Sequence, residues 1–112
     1  MVDRCLAEYQ RSPLTPFFMS ESNYENDNIF GTSNQTVLRR QAYASLLSGA
    51  FGQIFGNSPV WHFDAAPEYG SPPGWKSQLN TLGAQSMTIL WNFFSALNWQ
   101  LLAPDVNGQF VT

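Results

Sequence analysis

The sequence predicts an α/β fold built on parallel strands, and three observations carry that reading. One is Pro16-Phe17-Phe18-Met19-Ser20-Glu21, a short apolar run that opens on proline and ends on a carboxylate. A continuous apolar run suits a parallel strand covered on both faces, and proline fits only its first position. Another is the order of elements, in which helical and strand-like periodicities alternate along the chain as in a βα array. The third is composition: 44% hydrophobic and 15% aromatic residues need a core in which to bury them.

Val2, Leu6 and Tyr9 lie at helical spacing with charged residues between them, so residues 2–10 read as a helix, ended by Ser12-Pro13. The apolar run follows as a strand. By its two-residue period Phe17, Met19 and Glu21 share one face, which sets Glu21 at the C-terminal mouth above an apolar interior. In α/β barrels that mouth carries the chemistry. Residues 21–33 are rich in Asn, Ser and Gly, with Glu25 and Asp27 and no basic residue before Arg39, a polar loop of negative sign. Ser33 or Asn34 caps a helix that places Val37, Leu38, Ala42, Leu46 and Leu47 on one side, and Gly49 stops it.

Ala50 to Phe55 reads as the next strand. Gly49, Gly52 and Gly56 around it answer either turn geometry or close approach of a neighbouring backbone or a ligand. Residues 57–78 form a long loop rich in Pro, Gly and aromatics, of the kind that is usually functional in a compact domain. Asn80 or Thr81 caps a last helix with Met87, Leu90, Trp91, Phe94 and Leu97 on its core side. Pro104 breaks that pattern, and Asn107-Gly108 has the form of a hairpin turn leading into β structure.

Charge excludes several function classes. A net charge of −3 with five basic residues leaves no electrostatic footprint for nucleic acid or anionic lipid. One Cys and one His exclude a disulfide framework and a zinc site built from this chain alone, and no cofactor is expected. Ser77 to Pro104 carries no charge, but Asn, Gln, Ser and Thr interrupt it, so no membrane span is expected there.

Glu21 with Tyr24-Glu25, Arg39-Arg40-Gln41-Ala42-Tyr43, Gly49-Ala50-Phe51-Gly52, Gly56, Val60-Trp61, Gly83-Ala84-Gln85 and Leu102-Ala103-Pro104-Asp105 together resemble the apiosidase-like glycoside hydrolases. The likeness runs nearly end to end. It departs after the second glycine, where Gln53 and Phe55 stand in place of a His and a Tyr, a difference that bears on substrate preference. The resemblance implies the C-terminal portion of a TIM (β/α)8 barrel, its last two strands and their helices, over residues 1–105. Residues 106–112 would begin a linker or a following β-domain. Because a full barrel of this kind needs roughly 250 residues, an N-terminal half of the barrel is expected as partner. A secreted or periplasmic bacterial enzyme degrading plant-type polysaccharide is likewise implied.

Glycoside hydrolysis uses two carboxyl groups, one donating a proton to the leaving oxygen and one attacking the sugar or activating water. The resemblance places the nucleophile at Glu21 and the acid in the N-terminal half. Glu25 is a candidate for sugar hydroxyls, for orienting Arg39 or Arg40, or for plain surface charge. Asp64 is a candidate second acid or sugar contact, with loop capping as the alternative. Tyr24 and Trp61 are the candidate stacking faces for the sugar, with ordinary packing as the alternative. His62 has no suitably placed Ser or Cys for a triad. The competing function class is a non-catalytic carbohydrate-binding or structural module that keeps the aromatics and lacks the acid pair.

Overall fold

The computed structural model describes residues 1–27, 33–65 and 73–109. Their order is α1 (Val2–Tyr9), α2 (Gln35–Leu47), a short α3 (Ser58–Trp61), a 3-10 turn Trp75–Asn80, α4 (Leu82–Ser95) and a second 3-10 turn Trp99–Leu101. Parts of two predicted loops, residues 28–32 and 66–72, and the chain end at 110–112 lie outside the described residues.

Helices α2 and α4 start where a capping side chain stands. Asn34 Oδ1 accepts from the Val37 N–H at 3.0 Å, and Thr81 Oγ1 accepts from the Ala84 N–H at 3.3 Å, each satisfying a donor that the helix cannot. At the other end of α2 the Gly49 N–H donates to the Leu46 carbonyl and the Ala50 N–H to the Ser45 carbonyl, both 3.1 Å, with Gly49 at φ +96°. That pair of bonds is a Schellman closure, and it needs the left-handed residue that glycine supplies.

Helices α2 and α4 pack together around Ala42, Leu90 and Phe94, with Tyr43, Leu46 and Met87 at the margin. The buried stripe of α4 is Gly83, Ser86, Leu90 and Phe94. Trp91 is a correction to the predicted core face. It sits one residue round from Leu90 and is 71% exposed, and Leu97 lies beyond the helix end, also exposed. Leu47 of α2 likewise points outward.

The two apolar runs do lie side by side and parallel, but neither forms a strand. Met19 pairs with Gln53 and Glu25 with Asn57 as isolated parallel bridges. Around the first, Phe51 N–H donates to Phe17 O (2.9 Å), Met19 N–H to Gly52 O and Ile54 N–H to Met19 O (both 3.0 Å). Around the second, Glu25 N–H donates to Gly56 O (2.9 Å) and Ser58 N–H to Glu25 O (2.8 Å). Residues 20–24 separate the bridges on one segment and only residues 54–56 on the other. The longer segment must bow outward, and the ladder breaks there. Expected burial on both faces also fails: Phe17 and Met19 are half-buried while Phe18 and Ser20 alternate with them as exposed.

Gly49 offers a check on this account. A Cβ built there would fall 2.5 Å from the Tyr9 ring, so a side chain would collide with α1 as well as strain the left-handed backbone. Gly49→Ala in the intact protein is expected to cost about 2 kcal/mol or more, read from chemical denaturation. Unchanged stability would mean that α1 does not seat against the α2 terminus.

Candidate active site

Glu21 stands on the outward bow of residues 20–24 and is exposed. Tyr24 closes the same bow. Its ring lies directly on Gly56, where a Cβ would come within 2.5 Å of the ring carbons, so the glycine is what lets the tyrosine seat. Burial, then the nearby charge of Glu21, push the Tyr24 hydroxyl above the ordinary tyrosine range, and the charge of Asp27 adds to the effect. The phenol therefore stays protonated, and able to donate, to higher pH than a free tyrosine would.

Glu25, by contrast, is buried. Its Oε1 accepts from the Gly83 N–H at 2.9 Å, and its Oε2 accepts from Asn57 Nδ2 at 3.1 Å and from the Thr81 hydroxyl. Gly83 lies in the first turn of α4, where the helix presents free N–H groups and the positive end of its dipole to an anion. Asn26 extends the network, donating to Gln78 Oε1 at 3.0 Å and Asn57 Oδ1 at 3.4 Å. Arg39 and Arg40 are exposed, and among the described residues neither forms an ion pair with Glu25. The sequence pointed to Glu25 and to a Thr81 cap separately. What it hid was that the two meet, because Asn57 and Gly83 reach Glu25 only through the fold.

Trp61 ends α3 and is 52% exposed, standing edge-on to the buried His62 ring with centroids 5.0 Å apart. Asp64 serves the backbone: its carboxylate accepts from the Gly74 N–H at 3.1 Å and the Trp75 N–H at 3.0 Å. Phe63 and Asp64 both hold positive φ, 54° and 64°, a conformation that Asp tolerates and that is unusual for a bulky residue such as Phe. The Phe63 and Trp75 rings meet edge-to-face at 5.0 Å, so Trp75 packs within its own loop. The structure thus joins Glu21 to Tyr24, while Glu25 and Asp64 each take hydrogen bonds from the backbone of a different turn.

A cavity of about 330 Å³ opens elsewhere, between Phe51, Phe55, Met87, Leu90, Phe94 and Trp99. Its one amide, Gln53, leaves Oε1 buried without a partner among the described residues. No carboxylate, His, Lys or Cys lines it, and its one hydroxyl, Ser95, has no base beside it in the lining.

A comparison with curated proteins finds no match. The model of a family described as Apiosidase-like, catalytic domain, matches residues 2–100. That match takes in α1, both parallel segments, the Glu21–Tyr24 bow and the α4 terminus that holds Glu25, and it agrees with the family resemblance read from the sequence. The chain belongs to the Apiosidase-like catalytic-domain family, a glycosidase-type enzyme family.

Proposed function

We propose that this chain supplies one carboxylate of the catalytic pair of a secreted or periplasmic glycoside hydrolase acting on plant-type polysaccharide or oligosaccharide. In this reading the two parallel segments are the last strands of a (β/α)8 barrel, and Glu21 is the nucleophile or base. The observation that carries it is the Glu21–Tyr24 pair: an exposed carboxylate, raised on a bow between two backbone clamps, beside a phenol that burial and the carboxylate's own charge keep protonated. Family membership supports the reaction class.

Cleavage proceeds by attack on the anomeric carbon, either by Glu21 itself or by a water from which Glu21 takes a proton, while a carboxylic acid protonates the leaving oxygen. That acid comes from the N-terminal half of the barrel, because Glu25 and Asp64 are committed to backbone turns. The Tyr24 hydroxyl, kept protonated, stands near the Glu21 carboxylate as a donor. Trp61 offers a flat exposed face to the sugar ring.

The test is hydrolysis of plant cell-wall oligosaccharides by the intact protein, followed as released reducing sugar, with Glu21→Gln as the inactive control. Sugar binding without hydrolysis by the wild type would replace the enzyme with a carbohydrate-binding module. Trp61→Ala should weaken sugar binding about tenfold, ~1.4 kcal/mol, and leave stability within about 1 kcal/mol, as at a site away from a packed core. A large stability loss with unchanged binding would make Trp61 a packing residue.

A further inference from the structure

We propose that Glu25 is a positioning residue for the catalytic pair, locking the Glu21–Tyr24 bow onto the N-terminus of α4. The inference rests on the assignment of Glu21 as the catalytic carboxylate. It departs from any direct contact between Glu25 and sugar.

The bow has two ends. Its first is held at Met19 by main-chain bonds to Gly52 and Ile54. Its second is Glu25, clamped by main chain to Gly56 and Ser58 and by side chain to α4. Helix α4 is in turn fixed by its packing on α2. Everything between the two ends, including Glu21 and Tyr24, takes its place from them. The main-chain bonds at Glu25 secure the bow to a neighbouring loop segment, and among the hydrogen bonds of the described residues it is the carboxylate that ties it to a packed helix.

Two features separate this lock from ordinary helix capping. Helix α4 already has its cap, since Thr81 accepts from the Ala84 N–H, and it does not require a carboxylate from another segment. The second is Gly83. Glycine is a poor helix residue, yet a Cβ at this position would lie 2.6 Å from the Glu25 carboxyl carbon and one of its oxygens. The helix surrenders a better residue at that one position, and the space goes to the carboxylate. Tyr24 is the immediate neighbour of Glu25, with its ring against Gly56. A freed Glu25 therefore releases the tyrosine first and Glu21 with it.

The experiment uses the intact enzyme and approaches the lock from both sides. Glu25→Gln keeps size and shape but places an NH2 among groups that are themselves donors, so one of them loses its acceptor. Thr81→Val removes a donor from the far side, and Gly83→Ala pushes on the carboxylate. Each is expected to lower kcat per folded enzyme by about 10–100-fold with KM within about threefold. Glu25→Gln combined with Thr81→Val should lose little more than either alone, because both open one lock. Independently of turnover, ¹³C-tyrosine NMR should show the Tyr24 phenol, assigned through Tyr24→Phe, titrating closer to its ordinary range in all three variants. If KM rises while kcat holds, Glu25 touches sugar and the proposal falls. If kcat per folded enzyme and the Tyr24 titration both match the wild type, Glu25 is merely structural and the proposal falls as well. Should Glu21→Gln prove fully active, the assignment of Glu21 fails, and the Tyr24 resonance still decides whether Glu25 locks the bow.

Discussion

Glu21→Gln in the intact enzyme should lower kcat by at least about a thousandfold, ~4 kcal/mol of transition-state stabilisation, with KM changed by no more than about threefold. The substitution is nearly isosteric and the side chain is exposed, so the fold has little reason to respond. What disappears is the anion. A carboxylate attacking the sugar, or withdrawing a proton from water, contributes chiefly when positive charge develops at the anomeric carbon. The amide keeps the size, shape and place on the bow of the carboxylate it replaces, which is why binding should persist. Near-normal turnover in Glu21→Gln, with Asp64→Asn inactive instead, would transfer the role to Asp64 and remove the bow from the mechanism. A separation of roughly 5–5.5 Å between Glu21 and the upstream acid would indicate a retaining enzyme, and roughly 6.5–9.5 Å an inverting one.

Expressed alone, the 112-residue chain should not unfold cooperatively. Its accessible surface is 7707 Å², against ~6,200 Å² for a compact monomer of this mass. The radius of gyration, 15.6 Å, is also larger than the ~13 Å of a compact chain of similar length. Among the described residues the buried apolar side chains are Cys5, Leu38, Ala42, Ala50, Leu90 and Phe94, while Phe18, Phe51, Ile54, Trp91, Trp99 and Leu101 are exposed. So much uncovered apolar surface, flanking two short parallel segments, favours association over solitary folding. The isolated chain should bind a hydrophobic dye and melt broadly, and calorimetry or dye fluorescence would read either. A sharp monomeric transition would show that the α2–α4 core suffices by itself.

The helices were legible because their signals are local. Asn34, Gly49 and Thr81 act on backbone groups a few residues away, and the apolar spacing of α4 marks Leu90 and Phe94 without reference to anything else. The strands were only half legible. Their apolar character and parallel neighbourhood could be read, but whether a ladder runs unbroken depends on matching lengths in two segments more than thirty residues apart, here residues 20–24 against 54–56. Trp91 was misplaced because an aromatic at helical spacing says nothing about which flank the neighbouring helix covers. At the site, Glu21 was visible as the carboxylate that ends an apolar run. Glu25 was visible as a residue, but its burial and its partners were not, since Asn57, Thr81 and Gly83 become its neighbours only once α4 folds back beside the two segments.

The unequal spans between the two bridges have a consequence for how such a site changes over time. Because the surplus of peptide units on one segment creates the bow, how far Glu21 stands out from the paired segments is in large part a matter of chain length. Shortening residues 20–24 to match 54–56 would let the hydrogen bonds run from one bridge to the other and draw the carboxylate in against the neighbouring segment; lengthening them would carry it further out. Both clamps, Met19 with Gln53 and Glu25 with Asn57, would stay where they are. Small insertions and deletions between them therefore offer a route by which the reach of the Glu21 carboxylate can be retuned, one residue at a time, on an unaltered scaffold.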